Sequence, residues 1–333
     1  MNKKSTIILI TSILVFLVIF VVALMVGRYQ ISIDNFFGAL FTSDETYRIE
    51  RSIIIDLRLP RTIMAGLAGI GLSLSGLLYQ ETFQNKIVSP DLLGVSTGAS
   101  VGAAIAIVLG LSSALISIFA FLMGVGTVIL TVLIAKIFKN GSSTILLLAG
   151  IIVGGFMASV LSMIKYFADP ETTLASITYW MMGSFENSTM KQVCIVFPII
   201  LISVVILLTL SWRVNIVALG KEEAQTKGIN YKFYRYLIIC IATLLTTSVV
   251  AFSGTISWIG LVIPHIVRLM VGRNTRKTIP LSITFGGVFM ILVDILSRTM
   301  TDSEIPLSAV TGLFGTVIFI CILLYRRRMF DEN

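Results

Sequence analysis

The chain has a single histidine, His265, directly after Pro264, and no second imidazole to complete a metal site with it. Its three cysteines, Cys194, Cys240 and Cys321, stand alone inside apolar runs without CxxC or CxxH spacing, so they read as small apolar fillers. The one Gly-Lys pair, Gly220-Lys221, is followed by Glu222, and no G-x-x-x-x-G-K-[ST] occurs, so the chain carries no phosphate-binding loop for ATP. No Ser/His/Asp set is plausible. Asp294 is the only carboxylate placed well inside an apolar run, and Arg298 follows one helical turn later, the spacing of a local pair rather than of a proton relay. An intramembrane enzyme and a proton-coupled carrier both lack their usual parts. What remains is a transport pathway powered from outside this polypeptide, with no catalytic residue, metal or cofactor of its own.

Three other groups have types and spacing worth following. Arg58 and Arg61 flank Leu59-Pro60. Ser143 and Thr144 open an apolar run, where Ser and Thr are favoured simply as helix caps. The third is "VALGKEEAQTKGIN", residues 217–230, a polar insert between two apolar runs. Its acids Glu222 and Glu223 come first and Lys227 last, which suits the helix dipole. Glu223 and Lys227 stand at i,i+4 spacing. Gly228 is placed as a helix stop, and Asn230 as the cap of a second short helix over 231–235.

The elements that must position these residues are membrane spans. The 333 residues are 56% hydrophobic and 13% charged, against about 25% charged in soluble domains. Apolar runs recur along the whole chain, each near the ~20 residues that cross a bilayer. Candidate spans cover about 7–27, 62–81, 92–110, 113–136, 144–166, 192–211, 236–253, 258–271, 280–297 and 306–325. The eighth is short and reads as a half-span or a strongly packed inner helix. The chain is therefore an all-α polytopic membrane protein with about ten spans in one domain, 1–333. Lys3 and Lys4 precede a first run too long for a signal peptide, and no A-x-A site follows it. The net charge of +8 reflects basic residues between spans, so it speaks for topology rather than for nucleic acid. Lys and Arg, among them Lys139 and Arg326 to Arg328, favour the face that also carries both termini, which makes that face cytoplasmic. Gly94, Gly98 and Gly102 share a face, as do Gly71 with Ser75 and Gly150 with Gly154. These faces read as close helix packing, or alternatively as pore lining.

Three stretches also carry a resemblance. They are "RLPRTIMAGLAGIGLSLSGLLYQETFQNKIVSPDLLGVSTGASVG" (58–102), the insert with Ala218-Leu219-Gly220 and Lys227-Gly228, and "GTISWIGLVIPHIVRLMVG" (254–272) with "LVDILSRT" and "EIPLSAVTGLFGTVIF" after it. From about residue 50 to the C-terminus the chain closely resembles the FecCD permeases of ABC importers for iron-siderophores, haem and cobalamin. The resemblance implies the ten-helix type II importer fold and a bacterial plasma membrane. It implies a second permease subunit, a copy or a paralogue, and two cytoplasmic ATPases that use ATP and Mg. It also implies a substrate-binding lipoprotein outside.

By the same resemblance, residues of about 213–235 form coupling helices that engage the ATPase through Leu219, Gly220, Glu222, Glu223, Ala224 and Gly228. Arg58, Arg61 and Arg298 dock the lipoprotein; interfacial anchoring or pairing with Asp56 and Asp294 is the alternative, and Arg298 serves equally as a partner of Asp294. Ser143 and Thr144 narrow the inner mouth. "SITYWMMGSF" (176–185) lies near the outer mouth, where Tyr179 and Trp180 suit a bulky ligand or an interfacial belt equally. A ferric siderophore is the expected cargo, with haem or cobalamin as alternatives. An ion-driven secondary transporter and a membrane scaffold are the readings of other classes; the first would need buried ionisable residues and inverted repeats, and neither is evident.

Overall fold

The computed structural model describes residues 3–42, 44–138 and 143–331. Lys139, the "NGS" before Ser143, and the side chains of Arg326 to Arg328 lie outside the described part. In chain order the helices are α1 (Lys3–Met25), α2 (Ile33–Phe41), α3 (Arg48–Ser52), α4 (Leu59–Thr82), α5 (Val95–Val108), α6 (Ser113–Ile137), α7 (Ser143–Phe167) and α8 (Thr173–Met182). They continue with α9 (Met190–Val217), α10 (Lys221–Thr226), α11 (Tyr231–Ser253), α12 (Ile259–Val271), α13 (Thr275–Thr299) and α14 (Leu307–Asp331). Seven are long and apolar enough to cross a membrane, and α5, α12 and the apolar part of α14 are shorter. Together they fall on the ten expected spans.

α4 is the central helix: 89% of its apolar window is buried, against 17% for peripheral α1. Its small residues make this possible. A Cβ on Gly69 would lie 2.0 Å from the carbonyl oxygen of Gly286 on α13, and one on Gly286 would lie 2.4 Å from that of Gly69. The two backbones therefore touch, as small residues permit between membrane helices. Ser73 adds a hydrogen bond from its hydroxyl to the Ser282 carbonyl at 2.8 Å. α4 and α13 run antiparallel. One end of the bundle carries Arg61 and Asp294, the other Gly220 and Thr275. α1 begins at the Gly220 end, and α14 runs back toward it.

The other glycine faces follow the packing reading. A Cβ on Gly98 would strike Thr127, and one on Gly102 the Phe119 carbonyl, both on α6. The cysteines differ from expectation: all three lie on exposed helix faces rather than in packed interiors, because the apolar runs holding them have outward sides. α12 is the expected half-span. The chain leaves α11 at Gly254, runs without helix to Trp258, and restarts where a Cβ on Gly76 of α4 would meet the Gly260 carbonyl at 1.9 Å. His265 is packed inside this half-span, its ring edge-on to Phe319 at 5.6 Å.

A π-helical turn, Ile53–Arg58, leads into α4. Pro60 has no N–H, and its ring would press on the carbonyl four residues back. The chain widens there instead, and the Leu59 N–H donates to the Ile54 carbonyl.

The α4–α13 contact generates a prediction. Gly286→Val should cost at least about 1–3 kcal/mol by overpacking. Thermal unfolding of the purified chain in detergent would read this, and an unchanged Tm would show that the two backbones can part freely.

Candidate functional site

At the Gly220 end, α9 stops at Val217 and the chain turns at Gly220, whose φ of 111° is a conformation that side-chain-bearing residues avoid. A Cβ there would also lie 2.8 Å from the amide nitrogen of Gln84, which donates to the Ala218 carbonyl at 3.2 Å. α10 follows, six residues with one buried side chain, Ala224, packed with Ile216 and Ile229. Leu219, Glu222 and Glu223 are exposed. Gly228, at φ 70°, ends the turn, and the Asn230 side chain accepts from the Phe233 N–H at 3.1 Å.

Two details differ from the sequence reading. The helix capped by Asn230 does not stop near Arg235; it runs unbroken to Ser253, because nothing in that stretch interrupts the helix. Glu223 and Lys227 make no ion pair among the described residues, because Lys227 has left helical geometry at φ −91°, ψ 11°. The polar segment is therefore a short exposed peg seated on Ala224, joined to the bundle by Gln84 of the α4 terminus. Nearby, Asn215 of α9 accepts both the N–H and the hydroxyl of Thr275 at 3.0 Å, which ties α9 to the start of α13.

Arg268 of α12 pairs with Glu81 at 3.4 Å and donates to the Gln80 side-chain oxygen, while the Gln80 nitrogen donates to the Gly260 carbonyl at 3.0 Å. Sequence reasoning missed these contacts. Their partners lie some 60 to 190 residues apart, and only an interrupted apolar run at Gln80-Glu81 marks the place. At the same end the Ser143 hydroxyl makes a long 3.5 Å contact with the Thr82 carbonyl, and Thr144 is exposed.

The Arg61 end is built on buried charge. Arg61 donates from Nε to Asp294 at 2.8 Å and from its terminal nitrogens to both oxygens of Glu304, the second at 3.0 Å. Arg298 faces the other Asp294 oxygen at 3.4 Å and donates to the Ala23 carbonyl at 2.6 Å. Arg58 donates to the Leu24 and Met25 carbonyls at 2.9 and 2.6 Å. Two guanidiniums thus satisfy the free carbonyls that end α1, the negative end of its dipole. Arg58, Arg61 and Arg298 are each at most 8% exposed. All three are thus partnered within the chain itself. Asp294 and the open end of α1 draw them inside, where unpaired partners would be costly.

Beside this end, α8 and the starts of α6 and α9 enclose an open cavity of about 640 Å³. Tyr179 and Trp180 line it with Ser117, Glu186, Asn187 and Gln192, and no Lys or Arg does. Asp169, in the loop before α8, accepts the Thr172 hydroxyl and the backbone N–H groups of Thr172 and Glu171; these bonds hold its carboxyl below the usual carboxylate range.

The sequence profile of the FecCD transport family matches residues 14–325, nearly the whole bundle. The chain belongs to the FecCD transport family. It is a multi-pass membrane permease of the ABC importer class. The molybdate import permease MolB of Haemophilus influenzae is 35% identical over 316 residues, 94% of each chain. An iron chelatin transport permease of Helicobacter pylori is 36% identical over 83% of each chain. A solved metal-chelate type ABC transporter in an inward-facing conformation superposes with a TM-score of 0.87 at 34% identity, covering 96% of this chain and 99% of that one. Within this FecCD permease, the α10 peg and the buried arginines occupy opposite ends of the same two helices, α4 and α13.

The buried cluster generates a prediction. Asp294→Ala should cost about 3–5 kcal/mol, since it leaves guanidiniums buried without their carboxylate. Arg61→Ala should cost a similar amount, and the double variant much less than the sum. Detergent unfolding of all three chains checks this; additive losses would mean that the pair is not the unit holding this end.

Proposed function

We propose that this chain, with a second permease subunit, forms the membrane pathway of an ATP-driven importer for a ferric siderophore. The observation that carries the proposal is the peg at the Gly220 end. α10 exposes Glu222, Glu223 and Leu219 yet is tied to the bundle through Ala218, Ala224 and Ile229, which suits a segment that a separate ATPase grips and moves. In this reading the Gly220 end is cytoplasmic, with both termini there. ATP and Mg belong to the partner ATPases, and the chain itself is not an enzyme. Leu219, Gly220, Glu222, Glu223, Ala224 and Gly228 shape or form the contact. Ser143 and Thr144, at the same end, narrow the pathway. The substrate-binding lipoprotein docks on the Arg61 end, where Arg58, Arg61 and Arg298 meet it or hold the groups that do.

Siderophore cargo is supported by the iron chelatin relative and the metal-chelate transporter, and by a cavity whose hydroxyls, amides and one carboxylate suit a neutral, hydroxyl-rich chelate. Haem or cobalamin would fit the same pathway. The Haemophilus relative favours a competing cargo, molybdate, but an oxyanion is better served by cationic groups than by Glu186.

The test is uptake into proteoliposomes by the chain assembled with a matching ATPase, partner permease and binding lipoprotein. ATP-dependent uptake of a ferric siderophore is expected; molybdate uptake in its place would reject the cargo, and uptake driven by an ion gradient alone would reject the importer reading. Glu222→Lys with Glu223→Lys should sharply reduce uptake and ATPase association while insertion stays normal. Normal uptake by that variant would remove α10 from the coupling role.

A further inference from the structure

α8 is short and lightly covered, with Tyr179 75% exposed, yet its C-terminal end is bound tightly. It stops at Gly183, where the Ser184 N–H donates to the Ser253 carbonyl at 2.9 Å. The Thr255 hydroxyl donates to the Met181 carbonyl. The Leu307 N–H donates to the Gly183 carbonyl at 3.1 Å, which brings the start of α14 to the same point. Gly254 makes the approach possible: at φ 70° its absent Cβ would lie 2.1 Å from the Trp180 carbonyl. Backbone here meets backbone, so the end of α8 cannot shift without the end of α11.

The other end of α11 begins at Asn230, one residue after Ile229, which packs on Ala224 of α10. Between these points α11 runs 23 residues without Gly or Pro, about 34 Å of continuous helix. It is tied sideways to α4 by the Ser75 hydroxyl on the Ala242 carbonyl at 2.8 Å and by Tyr79 with Thr243 at 2.9 Å. α11 and α4 are thus one stiff body, gripped by the peg at one end and fastened to α8 at the other.

We infer that α11 is a strut carrying displacement of α10 to the outer mouth, where Gly254 and Thr255 act as the positioning residues that make α8 follow it. This rests on the importer reading, and it adds that α8 is moved through α11, braced by α4, by way of the fastening at Gly254 and Thr255. A loosened fastening would let ATP be hydrolysed without moving α8.

The test uses the assembled transporter with Cys194, Cys240 and Cys321 replaced by Ala and Tyr179→Cys as the reporter on α8. The rate of maleimide labelling at that position is measured with and without ATP. A several-fold dependence on ATP is expected in this parent. Thr255→Val, which keeps shape but removes the hydroxyl, should shrink the dependence while ATP hydrolysis persists and uptake falls. Gly254→Ala should shrink it further. A full ATP dependence in Thr255→Val would overturn the inference even if the Gly254 variant fails to fold. So would a parent whose labelling ignores ATP while ATP still drives uptake, an outcome that leaves the importer reading standing. Uptake without ATP would overturn the reading beneath both.

Discussion

The fold depends on α4 and α13 lying backbone to backbone. Gly69 and Gly286 bring the two helices together near their middles, and α1, α9, α11, α12 and α14 pack against the pair. Such closeness has an electrostatic consequence at the Arg61 end. There Arg61 on one helix and Asp294 on the other are forced into the interior together, and each is tolerable only because the other is present. Arg298 and Glu304 complete the charge balance, and the surplus guanidinium of Arg58 is absorbed by the carbonyls that end α1. The peripheral helix α1, which packs one side along α13, is thereby also held by the dipole at its terminus.

Much of the architecture was legible before any coordinates, because apolar length is a strong signal in a chain that must cross lipid. The ten runs, the half-span at 258–271, the helix in the polar insert, the stop at Gly228 and the cap at Asn230 all depend on local rules, and all stand in the structure. What is not legible is decided across the bundle. The family resemblance marks Arg58, Arg61 and Arg298 as docking groups and is silent on their partners within the chain. Nothing in the neighbouring sequence says that the carbonyls of Leu24 and Met25, or a carboxylate 233 positions away, will claim them. Only the i,i+4 spacing of Asp294 and Arg298 gave warning, and it revealed just one edge of the cluster.

The site at the opposite end follows the same division. The peg was visible from its caps and charges. Gln84, Asn215 and the Gln80–Glu81–Arg268 contacts, which join it and its neighbours to the rest, were not, since each is a long-range meeting of polar groups in otherwise apolar helices. Under the proposed coupling role they matter, because a gripped segment is useful only if something rigid follows it. The peg touches the termini of α4, α9 and α11 within a few residues, so one small displacement reaches three helices together.

The shallow seating of α10 has a further meaning. Only Ala224 is buried within the helix, and the outward residues make no contact on which folding relies. The outward face can therefore vary while the bundle stays intact. Under the proposed coupling role, a change of a handful of exposed side chains on α10 would re-match the chain to a different ATPase without touching the bundle.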